Sequence, residues 1–231
     1  MTEMTAPKTA PRLEMDEDNV TQWARENGKK VGIAAGVIVL LAVGIWGYQS
    51  SARNKEAAAQ QELMQARASA EAGNMPLAAS DLSKLIERFS GTKAADEASI
   101  LLNQVRLVQG QRTVAINALQ TFVRSHHEDY ILSSAYGLLG GGLEDEGKYK
   151  DAAQSYRLAS DNAPLDFLKA QFLIDAGRAF AAAHDTASAK KAYGDLLEKY
   201  PRIDQAGEAR VRMGEIGGTV PPPPPPVDST N

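Results

Sequence analysis

One long run of apolar residues dominates the first part of the chain. Residues 31–48 form a stretch of eighteen consecutive positions without a charged side chain. As an α-helix they would rise about 27 Å, which nearly matches the hydrocarbon core of a lipid bilayer. Three basic residues lie between positions 25 and 30, and Trp46 and Tyr48 lie at the far end of the run, where aromatic rings favour the headgroup level. The pattern predicts a transmembrane helix at residues 31–48.

Basic residues on the two sides of this run predict its orientation. Arg25, Lys29 and Lys30 precede it, whereas only Arg53 and Lys55 follow it closely, which favours a cytoplasmic N-terminus. A cleaved signal peptide is the first alternative, but six acidic residues precede the run and no small-residue cleavage pattern follows it closely. A buried helix of a soluble protein is the second alternative, but it would need a core around its whole circumference.

The residues before the run have a different pattern. Residues 1–18 contain two prolines and five acidic residues without apolar periodicity, so we expect a disordered tail. Residues 19–30 place apolar side chains on one helical face, which predicts a short interfacial helix. Gly32 and Gly36 have the GxxxG spacing that lets two membrane helices approach closely, so a homodimer is an open interpretation.

After the apolar run the sequence repeats with a period of 37 residues. Gly73, Gly110, Gly147 and His184 are each separated by that number. The same shift relates four small residues of the second helices to one another. It also relates four large residues, each of which stands four positions after one of the small residues. These are Ala78, Ala115, Ala152 and Ala189, followed by Leu82, Leu119, Tyr156 and Tyr193. The period predicts stacked helical hairpins, at about 54–90, 91–127, 128–164 and 165–201, with a capping helix at 203–216.

The third unit carries a specific family resemblance. Its signature positions are Tyr136, Leu139, Gly140, Leu143, Ala152, Tyr156, Ala159 and Pro164. In spacing, and mostly in type, they resemble the tetratricopeptide repeat, although each unit is three residues longer than the usual repeat. The predicted fold class is therefore all-α: a single N-terminal transmembrane helix, then a tetratricopeptide-like α-solenoid of about four hairpins plus a capping helix. The predicted repeat domain covers 49–216, and a Pro-rich disordered tail covers 217–231.

The layout as a whole resembles a narrower family. An acidic N-terminus, one apolar span and a tetratricopeptide-like domain are similar to the YfgM-type ancillary subunits of the bacterial Sec translocon. The resemblance covers residues 19–216. It implies a periplasmic repeat domain that associates with the SecYEG channel and with a PpiD-like chaperone. The Pro-rich tail departs from that family, and no function is transferred to it.

Composition narrows the classes of function. The formal charge of -4 lacks the basic excess of a nucleic-acid binder, and the absence of cysteine excludes disulfide scaffolds and thiol chemistry. The segment from Gly142 to Lys148 superficially copies a phosphate loop, but Tyr149 replaces the magnesium-binding hydroxyl residue and no strand precedes it. The segment 126–129 could in principle ligate a metal, but exposed turn residues explain it better. We expect no enzyme activity, no cofactor and no metal.

The remaining candidate is a binding surface. First helices line the concave side of stacked hairpins, so their outward positions are the candidate groove. Counted in the tetratricopeptide register, these are Gln60, Leu63, Arg67, Glu97, Ile100, Gln104, Leu107, Ser134, Gly137, Gly141, Gln171, Ile174 and Arg178. Apolar area together with arginine and glutamine donors suits extended or helical polypeptide segments. The alternative is that the apolar members belong to the core.

Three further questions stay open at this level. Gly140, Gly141 and Gly142 either form a flat stretch of groove or kink their helix, and the kink is slightly favoured. The six prolines 221–226 should form an extended helix of about 19 Å that is a linker or a binding motif. Two rival functions are a tetratricopeptide protein of envelope organisation, for cell-wall or outer-membrane assembly, and a self-assembling membrane organiser.

Overall fold

The computed structural model describes residues 17–126 and 129–225. The chain divides into two compact units, Met1–Asn54 and Lys55–Asn231. Within the described ranges it forms nine α-helices and no strand. They are α1 (Glu17–Glu71), α2 (Met75–Arg88), α3 (Lys93–Val108), α4 (Arg112–Ser125), α5 (Asp129–Asp145), α6 (Tyr149–Asn162), α7 (Asp166–Ala182), α8 (Thr186–Lys199) and α9 (Gln205–Glu215). The predicted all-α fold class is confirmed.

Helix α1 contains the apolar run. One 18-residue window of it has a mean hydropathy of 2.2, and none of that window is buried. By length and composition this helix can cross a membrane. Residues 19–30 lie within α1 and do not form a separate helix, and their interfacial role stays a prediction. Of the predicted disordered tails 1–18 and 217–231, residues 1–16 and 226–231 lie outside the described residues, residues 17–18 begin α1, and residues 217–225 form neither helix nor strand.

The turns inside the four hairpins share one geometry. Gly73, Gly110, Gly147 and His184 have φ of 77°, 77°, 71° and 59°, the left-handed conformation that ends many helices. In each turn the next residue donates its backbone N–H to the carbonyl five positions back, as Gln111 does to Arg106 at 2.8 Å. Glycine adopts this conformation without steric cost, which explains why it recurs at the period of the repeat.

The second helices are wedged against their neighbours by the alternation of small and large residues. The four alanines at the repeated small position are all fully buried. Leu82 and Leu119 are fully buried as well, and Tyr156 and Tyr193 are only 6% and 1% exposed. Because part of the apolar stripe of each hairpin is buried against the next hairpin, the repeats stabilise one another.

The buried apolar residues of the second unit form two clusters. One is built from α1, α2 and α3, and the other runs from α4 to α9. Ala206, Ala209 and Met213 of α9 close the second cluster, which is the capping role that the sequence predicted. The two clusters meet inside the second hairpin, between α3 and α4.

Candidate functional site

The first helices of three successive hairpins line an open cavity of about 350 Å³. We call it the first-helix groove. Its lining residues come from α1, α3 and α5: Arg67, Glu97, Ile100, Leu101, Gln104, Ile131 and Ser134. A neighbouring cavity of about 470 Å³ shares Arg67, Leu101 and Gln104 and extends to Met75 and Val108. The structure thus brings Arg67, Ile100 and Gln104 of the predicted groove together.

The polar groups of the groove differ in whether they already have a partner within the protein. Arg67 Nη2 donates to Glu97 Oε2 at 2.7 Å, which joins α1 to α3. Both side chains are partly exposed, so the pair contributes little to stability, on the order of 0–1 kcal/mol. Gln104 is exposed, so its amide can exchange a hydrogen bond with water for one with a polypeptide backbone. The groove therefore offers an amide and a paired arginine beside partly buried Ile100.

Two predicted groove residues belong to the core instead. Leu63 is 0% exposed and packs in the cluster of α1, α2 and α3, and Ile174 is 2% exposed in the other cluster. The prediction that they present apolar area to the groove is therefore wrong. The physical reason is rotation about the helix axis, because one residue step turns a side chain by 100°. Met64, next to Leu63, is 62% exposed.

Three other predicted residues take part in helix packing. A Cβ atom on Gly137 would lie 2.6 Å from Phe172 Cε1, so the absence of a side chain admits the ring of Phe172. Leu107 packs over Gly142, whose added Cβ would lie 3.2 Å from Leu107 Cδ2. Gly141 is the more open one, since its added Cβ would lie 3.7 Å from the hydroxyl oxygen of Tyr156.

The first glycine of the run in α5 has a packing explanation. A Cβ atom on Gly140 would lie 2.7 Å from Tyr156 Cε1, and one on Gly177 would meet the ring of Tyr193 even more closely. Gly140 and Gly177 are related by the 37-residue period, as are the two tyrosines. Helix α5 is assigned as one helix through the three glycines. A glycine facing a tyrosine in the paired helix was a detectable signal in the sequence.

Arg178 and Gln171 belong to a charged network between α5 and α7. The guanidinium of Arg178 donates twice to Glu144, with the longer bond at 3.3 Å, and once to Asp175 at 3.2 Å. Tyr156 donates its hydroxyl to Glu144 at 3.0 Å, and Gln171 donates to Asp175 at 3.5 Å. Two carboxylates thus occupy Arg178, which corrects its predicted role as a donor to a ligand.

Burial and the contacts within this network together shift the pKa values of its members. Burial raises the pKa of Asp175, and hydrogen bonds from Arg178 and Gln171 oppose that shift. Burial and the negative charge of Glu144 also raise the pKa of Tyr156. For Arg178, burial lowers the pKa, but the hydrogen bond to Asp175 and the charge of Glu144 outweigh it and raise the pKa. The arginine and Glu144 therefore act as a fixed ionic link between helices.

The segments considered for a metal site and for a phosphate loop make contacts within the protein. The ring of His126 stacks on Phe122 with centroids 3.7 Å apart, and its Nε2 lies 3.1 Å from Asp96 Oδ1. His127 and Glu128 lie outside the described residues. Lys148 pairs with Glu146 at 2.7 Å in the turn after α5. In the part of the chain that the structure describes, no group of three or more His, Asp or Glu side chains could hold a metal ion.

Residues 21–213 match the family described as "Tetratricopeptide repeat-like domain". The chain belongs to this tetratricopeptide repeat-like family. The crystal structure of a tetratricopeptide repeat protein from Parabacteroides merdae ATCC 43184 has a similar fold, with a TM-score of 0.55 and 11% identity. The match covers 68% of this chain and 59% of that one, and at this identity it shows the fold alone.

A comparison with curated proteins finds no match. Tetratricopeptide repeat-like domains are typically non-enzymatic modules that bind other proteins, so the family indicates a protein–protein interaction scaffold. Within the part of this chain that the structure describes, one helix is apolar enough to span a membrane.

Proposed function

We propose that this chain is a membrane-anchored scaffold that accompanies newly translocated proteins at the SecYEG channel, together with a PpiD-like chaperone. Its anchor crosses the bacterial inner membrane once, with the N-terminus in the cytoplasm and the repeat domain in the periplasm. The proposal is supported by the resemblance of the layout to YfgM-type subunits and by the apolar helix ahead of the repeats. No catalytic step and no cofactor is needed for this role.

The observation that carries the proposal is the first-helix groove. Its volume of about 350 Å³ lies within the range of ligand sites, and a neighbouring cavity of about 470 Å³ extends it. Polar Gln104 and Arg67 stand beside apolar Ile100 and Leu101, which suits the alternating side chains and amides of an extended polypeptide. The proposed occupant is an unfolded segment of a translocated protein.

Photo-crosslinking tests the binding of partners. Gln104→p-benzoylphenylalanine places the probe in the groove, and Gln154→p-benzoylphenylalanine on the exposed side of α6 is the matched control. We expect irradiation of intact cells to join position 104, and not position 154, to translocating chains or translocon subunits. Recovery of cell-wall enzymes would instead support the rival function in envelope organisation. Crosslinks only between copies of this chain would support self-assembly.

A separate experiment tests the topology. Because the chain has no cysteine, a single introduced cysteine is the only site that a maleimide can label. In spheroplasts, a membrane-impermeant maleimide should label a Gln154→Cys variant and should leave a Thr5→Cys variant unlabelled until the membrane is permeabilised. The reverse pattern would place the repeats in the cytoplasm and exclude a role beside emerging chains.

We also propose that two anchors associate through Gly32 and Gly36. Nothing lies within 4 Å of the position of an added Cβ at either glycine, so this face of α1 is open to a second helix. Replacing both glycines by isoleucine should abolish an anchor dimer that is detectable by crosslinking in membranes. An unchanged yield would contradict this proposal without affecting the groove.

A further inference from the structure

A second cavity lies at the junction of the first two hairpins, apart from the first-helix groove. It has a volume of about 410 Å³, is lined by α2, α3 and α4, and opens to the surface. Its apolar wall includes Ile86, Leu102 and Phe122, and its polar lining includes Asn103 and Arg106. We call it the Arg106 cavity.

The repeat itself shows that this junction is unusual. At the position of Ser99, the later hairpins have Tyr136 and Leu173, which pack in the core. At the position of Arg106 they have Leu143 and Phe180, which are only 4% and 5% exposed. Ser99 and Arg106 therefore stand at positions where the other two junctions have large and mostly apolar side chains.

The rim of the cavity differs in the same way. At the corresponding junction of the last two hairpins, Arg157 and Asp195 form an ion pair at 3.5 Å across α6 and α8. The equivalent residues at the first junction are Ser83 and Thr121, which are too short to bridge the helices. The cavity at the first junction, of about 410 Å³, is thus about twice as large as the one of about 200 Å³ that Arg157 and Asp195 line at the last junction.

Arg106 supplies an unmatched charge. Its Nη1 donates to Asn103 Oδ1 at 3.0 Å, and Asn103 is itself 3% exposed. Among the residues that the structure describes, Arg106 has no carboxylate partner. A guanidinium has five N–H donors in a planar fork, so most of them remain available for a carboxylate.

The hydroxyl groups that line the cavity set a second requirement for a ligand. Ser83, Ser99 and Thr121 donate to backbone carbonyls of their own helices at 2.8, 2.9 and 2.9 Å. Their protons are thereby used, so they offer only oxygen lone pairs to a visitor. A matching ligand must bring N–H donors as well as a carboxylate and an apolar group, and a polypeptide has all three.

We propose that the Arg106 cavity binds a partner polypeptide through an acidic side chain paired with Arg106 and an adjacent apolar side chain packed on Leu102 and Phe122. Backbone N–H groups of that segment donate to the hydroxyl oxygens of the rim. This site is independent of the proposed function, because it shares no lining residue with the first-helix groove.

Methyl NMR of the full chain in detergent tests the proposal. The probe is the peptide acetyl-GSLELSG-amide, titrated against protein labelled at Ile and Leu methyl groups. We expect saturable shifts of the Ile86 and Leu102 signals. Arg106→Gln should weaken binding by roughly tenfold or more, because hydrogen bonds to charged groups are the strong ones. Arg202→Gln, which removes the same charge at an exposed position, should leave binding unchanged.

Three further measurements can overturn it. Equal affinity for acetyl-GSLQLSG-amide would show that no carboxylate is recognised. Equal affinity for sodium hexanoate would show a site for small carboxylates and not for a polypeptide. Shifts confined to Ile100 would place the peptide in the first-helix groove. Ser99→Leu, which introduces the residue found at position 173, should block binding while far-UV circular dichroism stays unchanged, and retained binding would also contradict the proposal.

Discussion

Close approach of paired helices depends on one small residue opposite one large residue. Gly140 and Gly177 face the rings of Tyr156 and Tyr193. At the corresponding positions the first hairpin holds Ala66 and Leu82, which are both fully buried. The size of the first-helix residue thus decreases as the facing side chain becomes larger, which keeps the interior close-packed.

Alanine substitution at neighbouring glycines should have opposite effects. Gly140→Ala should lower the free energy of unfolding by roughly 1–3 kcal/mol, because its Cβ would overlap the ring of Tyr156. Gly141→Ala should raise it by roughly 0.5–1 kcal/mol, because its Cβ has only an ordinary contact at 3.7 Å and alanine favours helix. Thermal unfolding of the full chain, followed by circular dichroism, measures both.

The chain itself offers the control for this pair. Tyr156→Leu recreates the alanine–leucine combination of the first hairpin when it is combined with Gly140→Ala. In a double-mutant cycle, Gly140→Ala should cost clearly less in the Tyr156→Leu background than in the wild type. An equal cost in both backgrounds would show that the tyrosine ring is not the reason for the glycine.

At the scale of helices, the sequence predicts where a helix ends better than it predicts which face of the helix is buried. The glycine period marks each hairpin turn, because the left-handed conformation is a local property of one residue. Which side of a first helix faces the groove depends on its rotation against two neighbouring helices, and no local pattern reports that rotation. Leu63 and Ile174 were therefore misassigned, while Ile100 and Gln104 of α3 do reach the first-helix groove.

The start of α8 should make stability depend on pH. Ser188 donates its backbone N–H to Asp185 Oδ1 at 3.1 Å, and hydrogen bonds from its backbone and side chain lower the pKa of Asp185. A lowered pKa in the folded state contributes stability above the unfolded value of about 4, and this contribution is lost as the pH falls through the folded value. Asp185→Asn keeps an acceptor at the cap but removes the charge.

Thermal unfolding of both proteins across the acidic range measures this effect. The wild type should be more stable than Asp185→Asn near neutral pH, and the difference should shrink as the carboxyl group becomes protonated. Asp161→Asn is the matched control, because Asp161 is exposed and caps no helix start. A difference between wild type and Asp185→Asn that stays constant with pH would contradict the prediction.

At the scale of the whole molecule, the hydrophobic core is divided into two clusters, and this division does not follow the number of repeats. The period predicts four similar hairpins, but the buried clusters divide at the junction of α3 and α4. Asn103, Arg106 and Ser99 cause this division, since each replaces a residue that is glycine or large and apolar in the later hairpins. The sequence contained this signal as a departure from its own period.

In a repeat domain the stability of each part is set by its own hairpins and their interfaces. The cluster of α1, α2 and α3 is smaller than the one that runs from α4 to α9, and the Arg106 cavity weakens the junction between them. We therefore expect the amides of α2 and α3 to exchange with solvent as one unit, before those of α6, α7 and α8. Hydrogen exchange of the full chain, read by mass spectrometry, measures this order.

Ser99→Leu should slow exchange in α2 and α3 and leave α8 unchanged, because it extends the core across the junction. Simultaneous exchange of all these helices would show instead that the two clusters unfold as one.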